Sequence, residues 1–194
     1  DGNAEDLLKD DNFFMLKGDV ILNFDFKEML DLHNEKGGIG TIASRMVDDP
    51  SRYGVLLVDE GTQQIKNFLE KDEYCPPEGK CVPMPINAGV YILEPEIFSF
   101  IPPNKKVSIE LDVFPKAAQQ SKVFHYPITG IWKDIGKPEE LLQGNIILLK
   151  DLLKKSSKKN LIAESANMEG RVEIYPPVAI GENAVLRNNC KIGP

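Results

Sequence analysis

A chain of 194 residues that is 42% hydrophobic and 27% charged is long enough for one sizeable core with a smaller appendage. Its formal net charge of −7 argues against a broad basic surface, and so against nucleic acid as a partner, and no apolar run reaches the roughly 20 residues that a membrane helix requires. Three cysteines and the absence of an Asn-x-Ser/Thr sequon point to a reducing, cytoplasmic setting.

In chain order, Phe13-Phe14-Met15-Leu16 is a short apolar run, the pattern of a strand buried on both faces. It ends in Lys17-Gly18-Asp19. Asp25 and Glu28 form a capping box, Phe26, Met29, Leu30 and His33 recur at helical spacing, and Gly37-Gly38 stops that helix. Strands are predicted over 41–47, 54–58 and 65–69, the last two joined by a Glu60-Gly61 turn. Cys75 and Cys81 flank the Pro/Gly-rich Pro76-Pro77-Glu78-Gly79. With no histidine nearby, they read as reduced thiols in a surface insertion rather than as metal ligands. Further strands are predicted over 88–93, 123–126 and 131–135. The next helix opens at Pro138, with Glu139 and Glu140 at its positive end and Lys150, Lys154 and Lys155 at its negative end. Leu141, Leu142, Ile146, Leu149, Leu152 and Leu153 form its apolar stripe. Alternating strands and helices argue for an α/β sheet. The tail differs: Ile174, Ile180, Leu186 and Ile192 stand six residues apart, with Met168 one step earlier, a period suited to a parallel β-helix.

The candidate chemistry lies at strand ends. Asp19 and Asp134 each follow a short apolar strand, where a parallel sheet presents ligand-binding residues, and two such carboxylates suit Mg²⁺ and phosphate. Singly, each is more often a turn former. Glu70-Lys71 closes a strand in the same way and is weak by itself. Asn87-Ala88-Gly89 opens a strand; Asn supplies the donor and acceptor that a sugar hydroxyl needs, and Gly lets a ligand approach the backbone. A turn or a bulge explains that segment as readily.

It is the order of the motifs that adds weight. Phe14-x-Leu16-x-Gly18-Asp19, Tyr53-Gly54-Val55, Phe68-x-Glu70-Lys71, Ile86-Asn87-Ala88-Gly89-Val90-Tyr91, Phe114-Pro115 and Trp132-x-Asp134-Ile135-Gly136 together resemble the sugar-1-phosphate nucleotidyltransferases, the NDP-sugar pyrophosphorylases. Ser108-Ile109-Glu110 ahead of Phe114-Pro115-Lys116, with Asn87-Ala88-Gly89-Val90-Tyr91 and Trp132-Lys133-Asp134-Ile135-Gly136, looks most like the mannose-1-phosphate guanylyltransferases. The resemblance implies a Rossmann-like mixed α/β sheet over 1–155, incomplete at its start, a linker over 156–167, and the beginning of a left-handed parallel β-helix of hexapeptide repeats over 168–194. It also implies nucleotidyl transfer from GTP to mannose 1-phosphate. Asp19 and Asp134 would hold Mg²⁺, Lys71 would neutralise the sugar phosphate, Glu70 and Asn87 would bind sugar hydroxyls, and the backbones at Gly18, Gly54 and Gly89 would line the pocket.

Some features depart from that pattern. The family's Gly-rich triphosphate loop with its Arg and Lys has no counterpart in 1–12, so the nucleotide pocket is expected to lie outside the chain, which would by itself neither catalyse nor fold stably. Lys17 stands where a small polar residue is commoner, Asp72 where Pro is usual, and 73–85 form an insertion. Two other readings stay open: a non-catalytic regulatory or scaffold subunit of the same fold, and an enzyme that uses glucose 1-phosphate with another nucleoside triphosphate. The retained Asp19, Lys71 and Asp134 favour the enzyme. The open end of a β-helix implies self-association into a homo-oligomer, or pairing with a regulatory subunit.

Overall fold

A computed structural model describes residues 4–69, 71, 73–74, 82–103, 105–120 and 122–193. The expectations placed on Glu70, Asp72, Cys75 and Cys81 lie outside the described residues. Two compact units divide the chain, residues 1–132 and 133–194. The first carries, in order, α1 (Glu5–Leu8), β1 (Phe13–Leu16), β2 (Val20–Asn23), α2 (Phe26–Lys36), β3 (Gly40–Val47), β4 (Val55–Asp59), β5 (Gln64–Leu69), β6 (Met84–Leu93), α3 (Phe114–Gln120), β7 (Val123–Pro127) and the start of β8 (Ile131–Asp134).

A six-stranded mixed sheet runs β1-β6-β3-β7-β5-β4. β6 is antiparallel to both β1 and β3, whereas β3 and β7 are parallel. Successive β6 side chains alternate between two cores, as a period of two dictates. Tyr91 and Leu93 join Ile42, Leu56, Ile65, Val113 and Phe114 on one face. Val90 and Ile92 join Met29, Ala43, Ala88 and Ile128 on the other. Helix α3 covers the first face with Phe114, Ala117 and Ala118, and α2 covers the second with Met29. This is an α/β layering, each sheet face buried under a helix. Phe114 anchors its side through ring contacts to Tyr91 at 5.1 Å and Phe68 at 5.8 Å, and burial of one such ring stabilises by about 1.5–3 kcal/mol.

The limits of α2 are written in its caps. Asp25 accepts the Lys27 amide at 2.8 Å, and Gly37 adopts φ 61° with its N–H bonded to the His33 carbonyl at 3.0 Å. The reciprocal half of the capping box does not form: Glu28 instead accepts the Tyr126 hydroxyl at 2.8 Å. Gly37 ends the helix, and Gly38 is needed for room, because a β-carbon there would strike the Lys122 carbonyl and the Phe124 ring. His33 is buried, with Nδ1 2.9 Å from Thr41 Oγ1 and Nε2 2.9 Å from Glu94 Oε1. The hydrogen bonds of both ring nitrogens are thereby met within the fold.

Strand β1 corrects a sequence expectation. It is the terminal strand of the sheet, paired with β6 among the described residues, and Phe14 and Leu16 remain 38% and 48% exposed. The Phe14 ring meets Phe26 edge-on, the ring centroids 5.5 Å apart. A short apolar run does not by itself say how many faces it buries.

In the second unit, α4 (Pro138–Ser156) begins with Pro in its first turn and ends at Ser157, whose φ is 55°. Asp151 and Lys155 pair one turn apart at 2.6 Å. The expected apolar stripe is only partly covered. Leu153 is buried, and Ile146 and Leu149 line an apolar groove with Leu161, Val178 and Ile192, but Leu141, Leu142 and Leu152 are exposed. The tail consists of β9 (Leu161–Ile162), β10 (Asn167–Met168), β11 (Val172–Ile174), β12 (Ala179–Ile180), β13 (Val185–Leu186) and β14 (Cys190–Ile192). β9 pairs with β12, β10 with β13 and β11 with β14, each pair parallel. The repeat is 18 residues, and the same step links the Val178 amide to Asn160 Oδ1 and the Asn183 amide to Ser165 Oγ. Of the six-residue series, Ile180 is buried, Ile174, Leu186 and Ile192 are half-buried, and Met168 is exposed.

Two stability measurements follow. Gly38→Ala is expected to lower unfolding free energy by about 2 kcal/mol or more, read as an earlier urea midpoint. Gly18→Ala, whose added methyl meets nothing within 4 Å, should stay within about 0.5 kcal/mol; equal midpoints for the two variants would contradict the packing described. The second concerns His125, whose Nδ1 lies 2.8 Å from Ser44 Oγ and whose pKa burial holds below its ordinary 6.5. The unfolded chain then takes up this proton at a higher pH than the folded one. The stabilising contribution is complete above about pH 6.5 and is lost as pH falls from there toward the folded value. His125→Asn should flatten the urea midpoint across that window, and an unchanged pH profile would contradict it.

Candidate functional site

The site is built around a kink in β6. Against β3, Ile42 pairs with Tyr91 but Ser44 pairs with Asn87, so the β6 chain carries extra residues and bulges. Within the bulge Gly89 is buried and has φ +79°, a conformation that glycine adopts without strain. A β-carbon there would lie 3.0 Å from the Lys17 side chain, which passes directly over it. Asn87 supports the bulge from within, its Oδ1 accepting the Gly89 amide at 3.0 Å. The Gly54 carbonyl accepts the Asn87 amide at 3.0 Å, and Lys17 N–H bonds to the Gly89 carbonyl at 2.8 Å. From below, the half-buried Trp132 donates its indole N–H to the Ala88 carbonyl at 2.9 Å and meets Tyr53 edge-on at 5.5 Å. Both backbone and side chains thus fix the Asn87-Ala88-Gly89 segment.

One carboxylate closes the arrangement. Glu110 sits on a wide helical turn, Ile109–Val113, capped by Ser108, whose hydroxyl accepts the Leu111 amide at 3.3 Å. Three donors converge on Glu110 Oε1: Lys17 Nζ at 2.7 Å, Asn87 Nδ2 at 2.7 Å and the Tyr91 hydroxyl at 3.0 Å. Burial, and then the adjacent Glu110 charge, push the Tyr91 hydroxyl far above its ordinary pKa, so it remains a donor. In the sequence Glu110 stands only as part of the Ser108-Ile109-Glu110 motif, and Lys17 only as a departure from the family pattern. Lys17 in fact turns its ammonium to Glu110.

Of the residues singled out in the sequence, the structure brings together Gly54, Asn87 and Gly89, with Lys17-Gly18-Asp19 following directly on β1. Asp19 is exposed in the turn before β2, and among the described residues no hydrogen bond or ion pair engages its carboxylate. The space beside Gly18 is open. Lys71 is exposed in the turn after β5, whose last residue, Leu69, pairs with Val55, the neighbour of Gly54. Asp134 belongs to the second unit, at the end of β8, where its Oδ1 accepts the Gly136 amide at 2.9 Å; beside it, Lys133 pairs with Glu140. Asp19 with both oxygens open, and Asp134 with Oδ2 in reserve, are hard donors of the kind Mg²⁺ prefers. Among the described residues, neither carboxylate is paired with a cation side chain. Among the described residues there is no cluster of three or more metal-ligating side chains, and no helix is long and apolar enough to cross a membrane.

Known proteins share this sequence and fold. The mannose-1-phosphate guanyltransferase of Saccharomyces cerevisiae is 40% identical over 176 residues, which are 89% of this chain and 46% of that protein. The mannose-1-phosphate guanylyltransferase catalytic subunit beta of Drosophila melanogaster is 39% identical over 170 residues, 88% of this chain and 43% of that one. The chain therefore spans about half the length of the curated relatives it matches. The crystal structure of HddC from Yersinia pseudotuberculosis superposes with a TM-score of 0.59 at 27% identity, covering 73% of this chain and 57% of HddC. The model of the nucleotidyl transferase family matches residues 3–151; the chain belongs to that family.

Proposed function

We propose that this chain supplies the sugar-phosphate and metal half of a cytoplasmic enzyme that transfers the nucleotidyl group of GTP to mannose 1-phosphate, giving GDP-mannose and pyrophosphate. The observation that carries the reading is the Asn87-Ala88-Gly89 bulge, pinned by Gly54, Trp132 and Glu110. It offers an amide of fixed direction beside a residue with no side chain, which suits recognition of a polyhydroxylated ring. The names of the relatives support the choice of sugar and base. Retention of Asp19, Lys71 and Asp134 supports an enzyme over a scaffold subunit.

In the reaction, an oxygen of the sugar phosphate attacks the α-phosphorus in line. A new P–O bond forms, the bond between the α- and β-phosphates breaks, and pyrophosphate departs with its electron pair. A phosphate monoester is already anionic at neutral pH, so no general base is needed. Asn87 and Glu70 hold sugar hydroxyls, and the backbones at Gly18, Gly54 and Gly89 shape the pocket. Lys71 neutralises the sugar phosphate, and orientation supplies much of the rate. Asp19 and Asp134 would hold Mg²⁺, which would offset the charge of the meeting phosphates. The 18-residue parallel repeat of the tail is read as the start of a left-handed β-helix through which copies, or a regulatory subunit, associate.

The test is pyrophosphate release by the full protein. Turnover is expected with GTP and mannose 1-phosphate, and removing Mg²⁺ with a chelator should abolish it until the metal is restored. Asp19→Asn and Asp134→Asn should each lower turnover at least about 100-fold without moving the unfolding midpoint by more than about 0.5 kcal/mol. A higher kcat/KM with glucose 1-phosphate and another nucleoside triphosphate, or full turnover in either variant, would contradict the reading.

A further inference from the structure

The Glu110 carboxylate is more than a surface acid. Exposed Lys–Glu pairs contribute little to stability, and Lys17 and Glu110 have side chains 44% and 32% exposed. Yet the same Glu110 oxygen also receives Asn87 Nδ2 and the buried Tyr91 hydroxyl. The Asn87 amide is held at both ends: Oδ1 faces the Gly89 N–H, and Nδ2 faces Glu110. Flipping the amide would set NH₂ against a donor and its oxygen against a carboxylate, losing both bonds and adding two repulsions. Asn87 is therefore left with a single N–H and a single lone pair, each with a fixed direction.

We infer that Glu110 is a positioning residue of the sugar pocket: by clamping the Asn87 amide and drawing the Lys17 ammonium aside, it fixes the hydrogen-bonding pattern that the pocket presents to the sugar. This rests on the proposed sugar 1-phosphate reading. Without Glu110 the amide is free to turn, and the Lys17 ammonium becomes a mobile cation above Gly89. A pocket so altered loses discrimination among hydroxyl arrangements before it loses its fold. The nucleotide side of the reaction has no reason to notice, because none of these residues has been placed against the nucleotide.

The experiment compares Glu110→Ala with Glu110→Gln in the full protein. Gln retains an oxygen that can accept from Asn87 and Tyr91 but lacks the charge that holds Lys17. In Glu110→Ala the KM for mannose 1-phosphate is expected to rise about tenfold or more while the KM for GTP stays within about twofold. Glu110→Gln should recover sugar affinity to within about threefold of the unaltered protein. In parallel, the side-chain amide protons of Asn87, followed by NMR hydrogen exchange, should be protected in the unaltered protein and in Glu110→Gln, and exchange freely in Glu110→Ala. Equal effects on both KM values, no effect on either, or a protected Asn87 amide in Glu110→Ala would overturn the inference. An unaltered protein that turns over no sugar 1-phosphate would instead sink the proposed function, and the Asn87 exchange would still decide whether Glu110 clamps the amide.

Discussion

Strand β6 has to do two incompatible things, and the glycine at position 89 is where they are reconciled. To build the molecule it must be fully paired, with β1 on one side and β3 on the other, and must send side chains into both cores. To hold the half-buried Asn87 amide against the Gly89 N–H it must break that regularity. A positive φ at Gly89 lets the chain bulge for a few residues and then resume its register. Without that turn of the backbone, the register set by Ile42 and Tyr91 would bring residue 89, rather than Asn87, opposite Ser44.

The stiffness of the bulge comes from its surroundings. Hydrogen bonds from Asn87, Gly54, Lys17 and Trp132 satisfy its polar groups, which a buried irregular segment requires. Tyr91 ties the two levels together: its ring is packed in the core against Phe114, while its hydroxyl reaches the carboxylate at the pocket. A change in packing beneath the sheet would therefore be felt at Glu110. An irregular, buried and fully hydrogen-bonded segment inside a central strand is uncommon, which sets this one apart from the rest of the sheet.

What the sequence disclosed depended on whether the signal was local. Asp25 and Gly37 bound α2 because caps are made by residues next to the element they end, and Pro138 with its following glutamates did the same for α4. In the tail, the structure shows parallel pairings 18 residues apart, three times the spacing read in the sequence. The environment of β1 was not legible, since Phe13-Phe14-Met15-Leu16 carries no mark of which of its side chains are covered among the described residues. Helix α3 was missed as well: Phe114-Pro115 opens it directly out of the wide turn, and the run is too short for periodicity to register. Glu110 was beyond reach for a different reason. It meets Asn87 across 23 residues and Lys17 from far earlier in the chain, and no spacing rule connects them. The motif order led to the right family, but only the folded chain showed what holds Asn87 in place.

The central claim is that the bulge at Asn87-Ala88-Gly89 receives the sugar of a sugar 1-phosphate. It is met most directly by a crystal structure of the full protein with mannose 1-phosphate bound. The account predicts a ring hydroxyl within hydrogen-bond distance of the Asn87 side chain, the ring lying over the Gly54 and Gly89 backbone, and the phosphate turned toward Lys71. A sugar seated anywhere that leaves Asn87 and Gly89 untouched would contradict it.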